Sequence, residues 1–444
     1  LLKKVGMISL GCPKNRVDSE VMLGLINNAG YKTVIDPSEA DAIVVNTCGF
    51  IGPAKEESVE AILEYSKYKH SHKCKLLVVT GCLAQRYSIE LIEEIPEIDV
   101  LLGTGNFTDI VASLDDAFNG KKVSLTDGLN RPLKELPRQL STLAGTAYLK
   151  ISEGCDNCCS YCIIPSLRGK SRSRSVKSLI EEANNLVRSG VKEIILIGQD
   201  ITRYGHDLGE GANLLYLLNK LTEIEELKWI RLLYLYPDRV TTNLLAFMSQ
   251  NRKICNYLDI PIQHISDKIL KRMNRNSSAK QISSLITAAR NMIPDVIIRT
   301  SLIVGFPGES ENEFNELSSF LQEFQLNHVG IFSFSPEEGT AAATFNDQID
   351  DSVKEARRAS LMTLQKNISK RLNKTRLNEA CEVLIEGENS ENIYIARSYG
   401  EAPEIDGKVF VTSKKPLKKG EFINVKITKA YEYDLVAEEY ESGK

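Results

Sequence analysis

Twice along the chain, short apolar runs alternate with amphipathic stretches of helical period. That alternation restricts the fold to parallel sheets covered by helices, an α/β class. The first series fills residues 1–120. Val5–Leu10, Ala42–Asn46 and Leu76–Thr80 are apolar with few polar interruptions, as strands buried on both faces are. Helices are expected over Val17–Asn28 and Ala54–Tyr68. Residues 121–144 lose the pattern, and Pro132, Pro137 and several charges there predict a linker.

The second series predicts strands at Tyr148–Ile151, Glu193–Gly198, Trp229–Leu235, Tyr257–Ile262, Ile297–Val304 and His328–Phe334. Helices fit between them, as in Ser178–Ser189 and Glu311–Phe324. About six successive βα units predict an incomplete relative of the TIM-type (β/α) barrel. Asp350–Arg376 has no Pro or Gly and predicts one long helix, ending a central segment of residues 145–376. From 377 to 444, the β-rich runs Glu382–Ile385, Lys408–Val411 and Phe422–Ile427 are separated by Gly turns. They predict a small OB-like β-barrel.

The bulk numbers exclude several classes. The net charge of −4 argues against a strongly basic nucleic-acid binder, and leaves room for a local basic patch. No apolar run approaches the ~18 residues of a membrane span. Leu1–Leu10 read as a strand rather than a secretory leader. The expected location is cytoplasmic, where the ten cysteines would remain thiols. Their grouping makes metal the first chemistry to consider.

The densest group is GCDNCCSYC, where Cys155, Cys159 and Cys162 form Cys-x3-Cys-x2-Cys just past the first barrel strand. Three thiolates on one short loop hold three irons of a cubane cluster and leave the fourth open to a small chelating ligand. The loop follows the carboxyl end of a barrel strand, where such folds place their chemistry. Zinc is the alternative, because Cys158 creates the overlapping pairs Cys155/Cys158 and Cys159/Cys162. Zinc knuckles usually separate such pairs by a longer stretch.

Cys12, Cys48 and Cys82 are far apart in sequence, yet their settings match: ISLGC, VVNTC and VVTGC. Each falls just past a predicted parallel strand, and loops at the carboxyl ends of such strands gather on one side of a sheet. Three thiols meeting there would suit a second cluster with one open iron. The alternative is three small buried residues. Cys74, Cys255 and Cys381 lack matching partners, and Cys158 is left over once its three neighbours are used.

The spacing Cys155-x3-Cys159-x2-Cys162, with Tyr161 before the last cysteine, resembles the signature of radical S-adenosylmethionine enzymes. That resemblance implies S-adenosylmethionine chelated to the open iron, with Tyr161 against its adenine. IVGFPGE at Ile303–Glu309 resembles a further contact to the same ligand, which implicates Gly305 and Pro307. It also favours Gln199 in the active site. With Cys12, Cys48 and Cys82 included, nearly the whole chain resembles the methylthiotransferases. These have a three-cysteine amino-terminal domain, a radical domain and a terminal TRAM barrel. The resemblance implies two [4Fe–4S] clusters, with S-adenosylmethionine as both methyl donor and radical source.

Within that family, SLGCPKN at Ser9–Asn15, SEGCDNCCSYCIIPSLRG at Ser152–Gly169 and EAPEIDG at Glu401–Gly407 resemble the branch that modifies an aspartate of small-ribosomal-subunit protein twelve. The other branch acts on a tRNA adenosine. The expected partners are therefore a ribosomal protein, a small-molecule sulfur source and an electron donor, with no membrane and with RNA contact secondary. Acids outnumber bases from Glu379 onward, which suits a basic protein partner. From another class, a non-catalytic iron–sulfur or zinc RNA-binding protein would also carry a TRAM-like barrel. Deoxyadenosine formation from S-adenosylmethionine under reduction discriminates against it.

Five further features have modest readings. In SRSRS, Ser171–Ser175, Arg172 or Arg174 is expected to reach a carboxylate near the first cysteine loop. His70, His72 and Cys74 are expected on a polar surface loop. Leu102–Asn106 is expected to make a turn. LIGQD at Leu196–Asp200 and DIPIQH at Asp259–His264 end barrel strands with groups suited to helix capping or ligand contact.

Overall fold

The computed structural model describes residues 2–142 and 144–440. Residues 1, 143 and 441–444, which fall in the expected amino-terminal, linker and TRAM segments, lie outside the described residues. The chain divides into two compact units. One comprises Leu1–Ser141, Ser152–Arg174 and Ser335–Ala343; the other comprises Thr142–Ile151, Ser175–Phe334 and Thr344–Lys444.

The first unit is built on a wholly parallel sheet. Its strands are β1 (Lys4–Ser9), β2 (Lys32–Val34), β3 (Ala42–Thr47), β4 (Leu76–Gly81), β5 (Ile98–Leu102) and β6 (Val123–Leu125), in the order β2-β1-β3-β4-β5-β6. Both faces are covered. Ile43, Val45, Leu77, Val79 and Leu101 pack on one side, and Ala42, Val44, Leu76, Val78, Val100 and Leu102 on the other. This two-sided burial is why β3 and β4 read as continuous apolar runs. The sequence shows β1, β3 and β4 clearly. It misses β2 and β6, which are three-residue edge strands too short to carry a period. It also misses β5.

The second unit begins with β7 (Thr146–Lys150). The chain next contributes a two-residue antiparallel ribbon to the first unit, β8 (Ser152–Glu153) with β9 (Arg172–Ser173), which brackets the cysteine loop. The second unit then continues with β10 (Glu193–Ile197), β11 (Trp229–Leu232), β12 (Ile254–Asp259), β13 (Ile297–Val304) and β14 (His328–Ser333). These six pair in parallel in sequence order, β7 through β14, as an incomplete (β/α) barrel requires. Capping boxes at Ser278/Gln281 and Ser310/Glu313 start two of the covering helices.

One helix spans Asp351–Thr375. After it, β15 (Ala380–Ser390), β16 (Ile393–Arg397), β17 (Val409–Thr412), β18 (Phe422–Ala430) and β19 (Leu435–Glu439) close into a barrel. Its interior is Val383, Ile385, Ala396, Val409, Val411, Val425, Ile427 and Ala437. Among the described residues no helix is long and apolar enough to cross a membrane.

Candidate functional site

In the first unit β1, β3 and β4 run level at their carboxyl ends, with Ser9 opposite Asn46, and Asn46 opposite Thr80. Cys12, Cys48 and Cys82 follow these three ends. The strand order reverses between β1 and β3, and such a switch point opens a crevice at the carboxyl edge. Cys12 and Cys48 flank that crevice.

Buried polar side chains fix the loops. Asn15 Nδ2 donates to the carbonyls of Leu10 at 2.8 Å and Thr47 at 3.1 Å. Asn46 Nδ2 donates to the Asn15 carbonyl and to Ser19 Oγ, both at 2.8 Å. Ser58 Oγ accepts from the Cys48 amide at 3.0 Å. The repeated Gly-Cys pairs have a steric reason. Gly11 has φ +84° and a Cβ there would stand 2.8 Å from Cys48 Cβ. Gly81 has φ 98° and ψ −156°, and a Cβ would meet Asn46 Oδ1 at 2.4 Å.

The three thiols influence one another. Burial pushes the Cys48 thiol up to about 11, and the Cys82 and Cys12 sulfurs push the same way. Burial also raises Cys82, against the pull of Arg168, and Cys12 adds to the rise. Thiols that resist ionising alone ionise readily when a metal ion replaces the proton. Three soft sulfur donors fit an iron–sulfur cluster. No three His, Cys, Asp or Glu side chains are closed around a common metal-sized point among the described residues.

The loop carrying Cys155, Cys159 and Cys162 is in the same unit. The Cys155 amide donates to the Gly169 carbonyl at 3.1 Å, and the Cys162 amide to the Cys159 carbonyl at 3.1 Å. All three cysteines and Tyr161 are partly buried, whereas Cys158 is exposed. None of the ten cysteines is in a disulfide. Glu337 ties the segment 335–343 to the helix that follows Cys48 and to the one that begins at Cys82. It accepts from Lys55 Nζ and Arg86 Nη1, both at 2.8 Å, and from the Gly52 amide at 3.1 Å.

Sequence reasoning missed Arg168. Its guanidinium meets Asp18 and Glu153 at 2.7 and 3.1 Å. Arg172, singled out by the SRSRS motif, donates to the carbonyls of Leu129, Arg131 and Arg168. The local sequence around Arg168 carries no sign of partners about 150 residues away. His70 and His72 are exposed as expected, but the expectation of a loop for His70 and of the surface for Cys74 needs correction. Tyr68–Ser71 is a helical turn, His72 stacks on Tyr68, and Cys74 is buried with Sγ donating to the Leu76 carbonyl at 3.2 Å. The apolar side of β4 draws the cysteine inward.

In the second unit, polar groups collect at the carboxyl ends of the barrel strands. Gln199 and Asp200 follow β10. Asp200 caps the next turn by accepting from the Thr202 amide and also takes Arg239 Nη1 at 2.6 Å. Gly305 follows β13 with φ +70°, and its amide donates to Glu309 Oε2 at 2.9 Å. Glu309 also accepts from Arg357 at 2.8 Å, and His264 Nε2 lies 3.4 Å from it. The Pro307 carbonyl accepts from Arg272 Nε at 3.0 Å. Tyr234 and Gln263 hold positive φ of 65° and 69°, backbone strain of the kind that concentrates at functional sites.

Three family models match in succession: Uncharacterized protein family UPF0004 over residues 4–103, the Radical SAM superfamily over 149–321 and a TRAM domain over 379–439. Among solved structures, the radical S-adenosylmethionine methyltransferase TsrM of Kitasatospora setae has a TM-score of 0.56 at 12% identity. The match covers 77% of this chain and 74% of that one. The cobalamin-dependent radical enzyme OxsB has a TM-score of 0.53 at 12% identity, covering 80% and 56%. At that identity these show the fold alone.

The chain is 51% identical to a Clostridium perfringens protein named ribosomal protein uS12 methylthiotransferase RimO, over 98% of this chain and 97% of that one. It is 49% identical to the Clostridium kluyveri protein of the same name, over 99% of each. With half its residues shared along nearly its full length, the chain belongs to the RimO family of radical S-adenosylmethionine methylthiotransferases.

Proposed function

We propose that this chain methylthiolates the β-carbon of an aspartate in small-ribosomal-subunit protein uS12, using two [4Fe–4S] clusters. The observation that carries the reading is the gathering of Cys12, Cys48 and Cys82 at the carboxyl edge of one parallel sheet. The name of these relatives supports the substrate. Membership of the radical family implies S-adenosylmethionine and one [4Fe–4S] cluster.

Cys155, Cys159 and Cys162 would hold the cluster of the radical domain, and Cys12, Cys48 and Cys82 the second. When bound, the first cluster and S-adenosylmethionine supply a radical able to take hydrogen from an unactivated carbon, while the second holds sulfur for transfer. The chain's own residues orient and enclose. Tyr161 would contact the adenine of S-adenosylmethionine, as the family resemblance implies. Gln199, Gly305 and Pro307 would contact S-adenosylmethionine, as the same resemblance implies, and the Glu309–Arg357 pair stiffens the Gly305–Pro307 turn. The functional division is 1–120, 121–144, 145–376 and 377–444. A small-molecule sulfur source and an electron donor complete the reaction. Protein contact dominates over RNA contact, and the setting is the cytoplasm.

Mass spectrometry of uS12 and of tRNA nucleosides, from a deletion strain with and without this chain, tests the substrate. The methylthio group is expected to return to uS12. Its return to tRNA alone would overturn the reading. Iron analysis of the anaerobically reconstituted chain should approach about eight irons, as two cubanes require, and a plateau at about four removes the second cluster.

A further inference from the structure

Arg168 ends the short helix Ile164–Arg168 that follows Cys162, and it is 2% exposed. Nη1 donates to Asp18 Oδ2 at 2.7 Å and to Glu153 Oε2 at 3.1 Å. Nη2 donates to Asn15 Oδ1 at 3.1 Å and to Cys82 Sγ at 3.6 Å. Every partner is a candidate cluster cysteine or stands within six residues of one. Asn15 and Asp18 lie on the helix entered from Cys12, and Glu153 stands two residues before Cys155.

One planar cation thus reaches the segments that carry or adjoin Cys12, Cys82 and Cys155. Guanidinium suits the position because its fixed fork satisfies several acceptors at once and keeps its charge when buried. A purely structural ion pair would need Asp18 and Glu153 and no sulfur. The sulfur contact adds a second role. The potential of an iron–sulfur cluster is set by local charge, by hydrogen bonds to its sulfurs and by exposure. Arg168 supplies the first two in a place that has little of the third.

We infer that Arg168 is a positioning residue for the Cys12/Cys48/Cys82 site. It sets the reduction potential of the cluster there by donating to the Cys82 sulfur and by fixing a positive charge beside it. The inference rests on the reading that these three cysteines hold a cluster.

The test uses the full-length chain with Cys155, Cys159 and Cys162 all replaced by Ala, so that the amino-terminal site alone holds a cluster. Iron content and the midpoint potential, by redox titration followed by electron paramagnetic resonance, are the readouts. Iron is expected at about four per chain. If this parent binds none, the cluster reading fails before any arginine variant is made.

Within the iron-loaded parent, Arg168→Gln should move the potential negative, and Arg168→Lys should move it less. Asp18→Asn, which removes a negative charge from the same network, should move it positive. A role in folding alone would lower thermal stability without ordering the potentials by charge. If Arg168→Gln and Asp18→Asn both load iron and leave the potential at the parent value, the inference is overturned. If Arg168→Gln does not load iron, Asp18→Asn decides: a positive shift supports the inference and an unchanged potential overturns it.

Discussion

Arg397 Nη2 donates to Glu193 Oε2 at 2.6 Å, and neither side chain is more than 1% exposed. Glu193 opens β10 and Arg397 closes β16, so this pair joins the terminal barrel to the parallel sheet of the same unit. Arg231 Nε donates to Glu193 Oε1 at 2.9 Å. Arg397 also pairs with Glu386. Burial would push the Glu193 carboxyl up, but Arg397 and Arg231 outweigh it and hold it down at about 2.

Replacing Glu193 by Gln should therefore destabilise the second unit by about 3–5 kcal/mol, because two buried guanidiniums lose their shared anion. The pH dependence has a definite sign. A carboxyl held below its ordinary value adds stability above that value and loses it as pH falls, here between about 4.5 and about 2. Denaturant melts at pH 7 and below pH 4 check this. The difference between wild type and Glu193→Gln should shrink in acid. An undiminished difference there would contradict the assignment.

Glu337 makes a smaller, local prediction. Burial opposes its ionisation, and hydrogen bonds from Lys55, Ser335 and Arg86 overcome that and lower it. Glu337→Gln should cost about 2 kcal/mol, the usual worth of charge-assisted hydrogen bonds. Limited proteolysis should find residues 335–343 cut faster. Equal cutting rates in mutant and wild type would show that these bonds do not hold the segment.

Gly81 permits no side chain. Its φ and ψ belong to the region that only glycine visits readily, so Gly81→Ala should cost about 1–3 kcal/mol from strain alone. The added Cβ also presses on Asn46, which supports the Cys12 and Cys48 loops. Iron retention at the amino-terminal site should fall while the radical domain keeps its cluster. Full iron content with an unchanged melting temperature would refute this.

The two cysteine sets should separate in activity. Cys159→Ala should abolish deoxyadenosine formation. Cys48→Ala should retain part of it and lose methylthio transfer. Far-ultraviolet circular dichroism must match wild type for either result to count. Sustained wild-type transfer by folded Cys48→Ala would remove the sulfur-delivery role.

Much of the site was legible because strand ends are. A cysteine one to three residues past a buried parallel strand can point to only one edge of the sheet, so Cys12, Cys48 and Cys82 could be grouped without knowing the strand order. The Cys155–Cys162 spacing is local and needed no fold at all. Arg168 was not legible, since its meaning lies in Asn15, Asp18 and Cys82, brought to it by tertiary folding. The same holds for Glu193 and Arg397, which are 204 residues apart in sequence and fully enclosed in the fold. The short strands β2, β6, β8 and β9 carry too few residues for a period, and neighbouring strands decide them.

The first unit is assembled from three separate stretches of chain, so its completion is tied to the order of synthesis. Residues 1–141 can form their sheet early, since domains fold as they emerge. The buried partner of Asp18 arrives only with Arg168, and the anion between Lys55 and Arg86 only with Glu337. A nascent chain stalled before Glu337 should show residues 52–86 open to protease, and the released full-length chain should protect them. Any cofactor loading at the thiols of this unit would then be a late event, reserved for a polypeptide that has nearly left the ribosome.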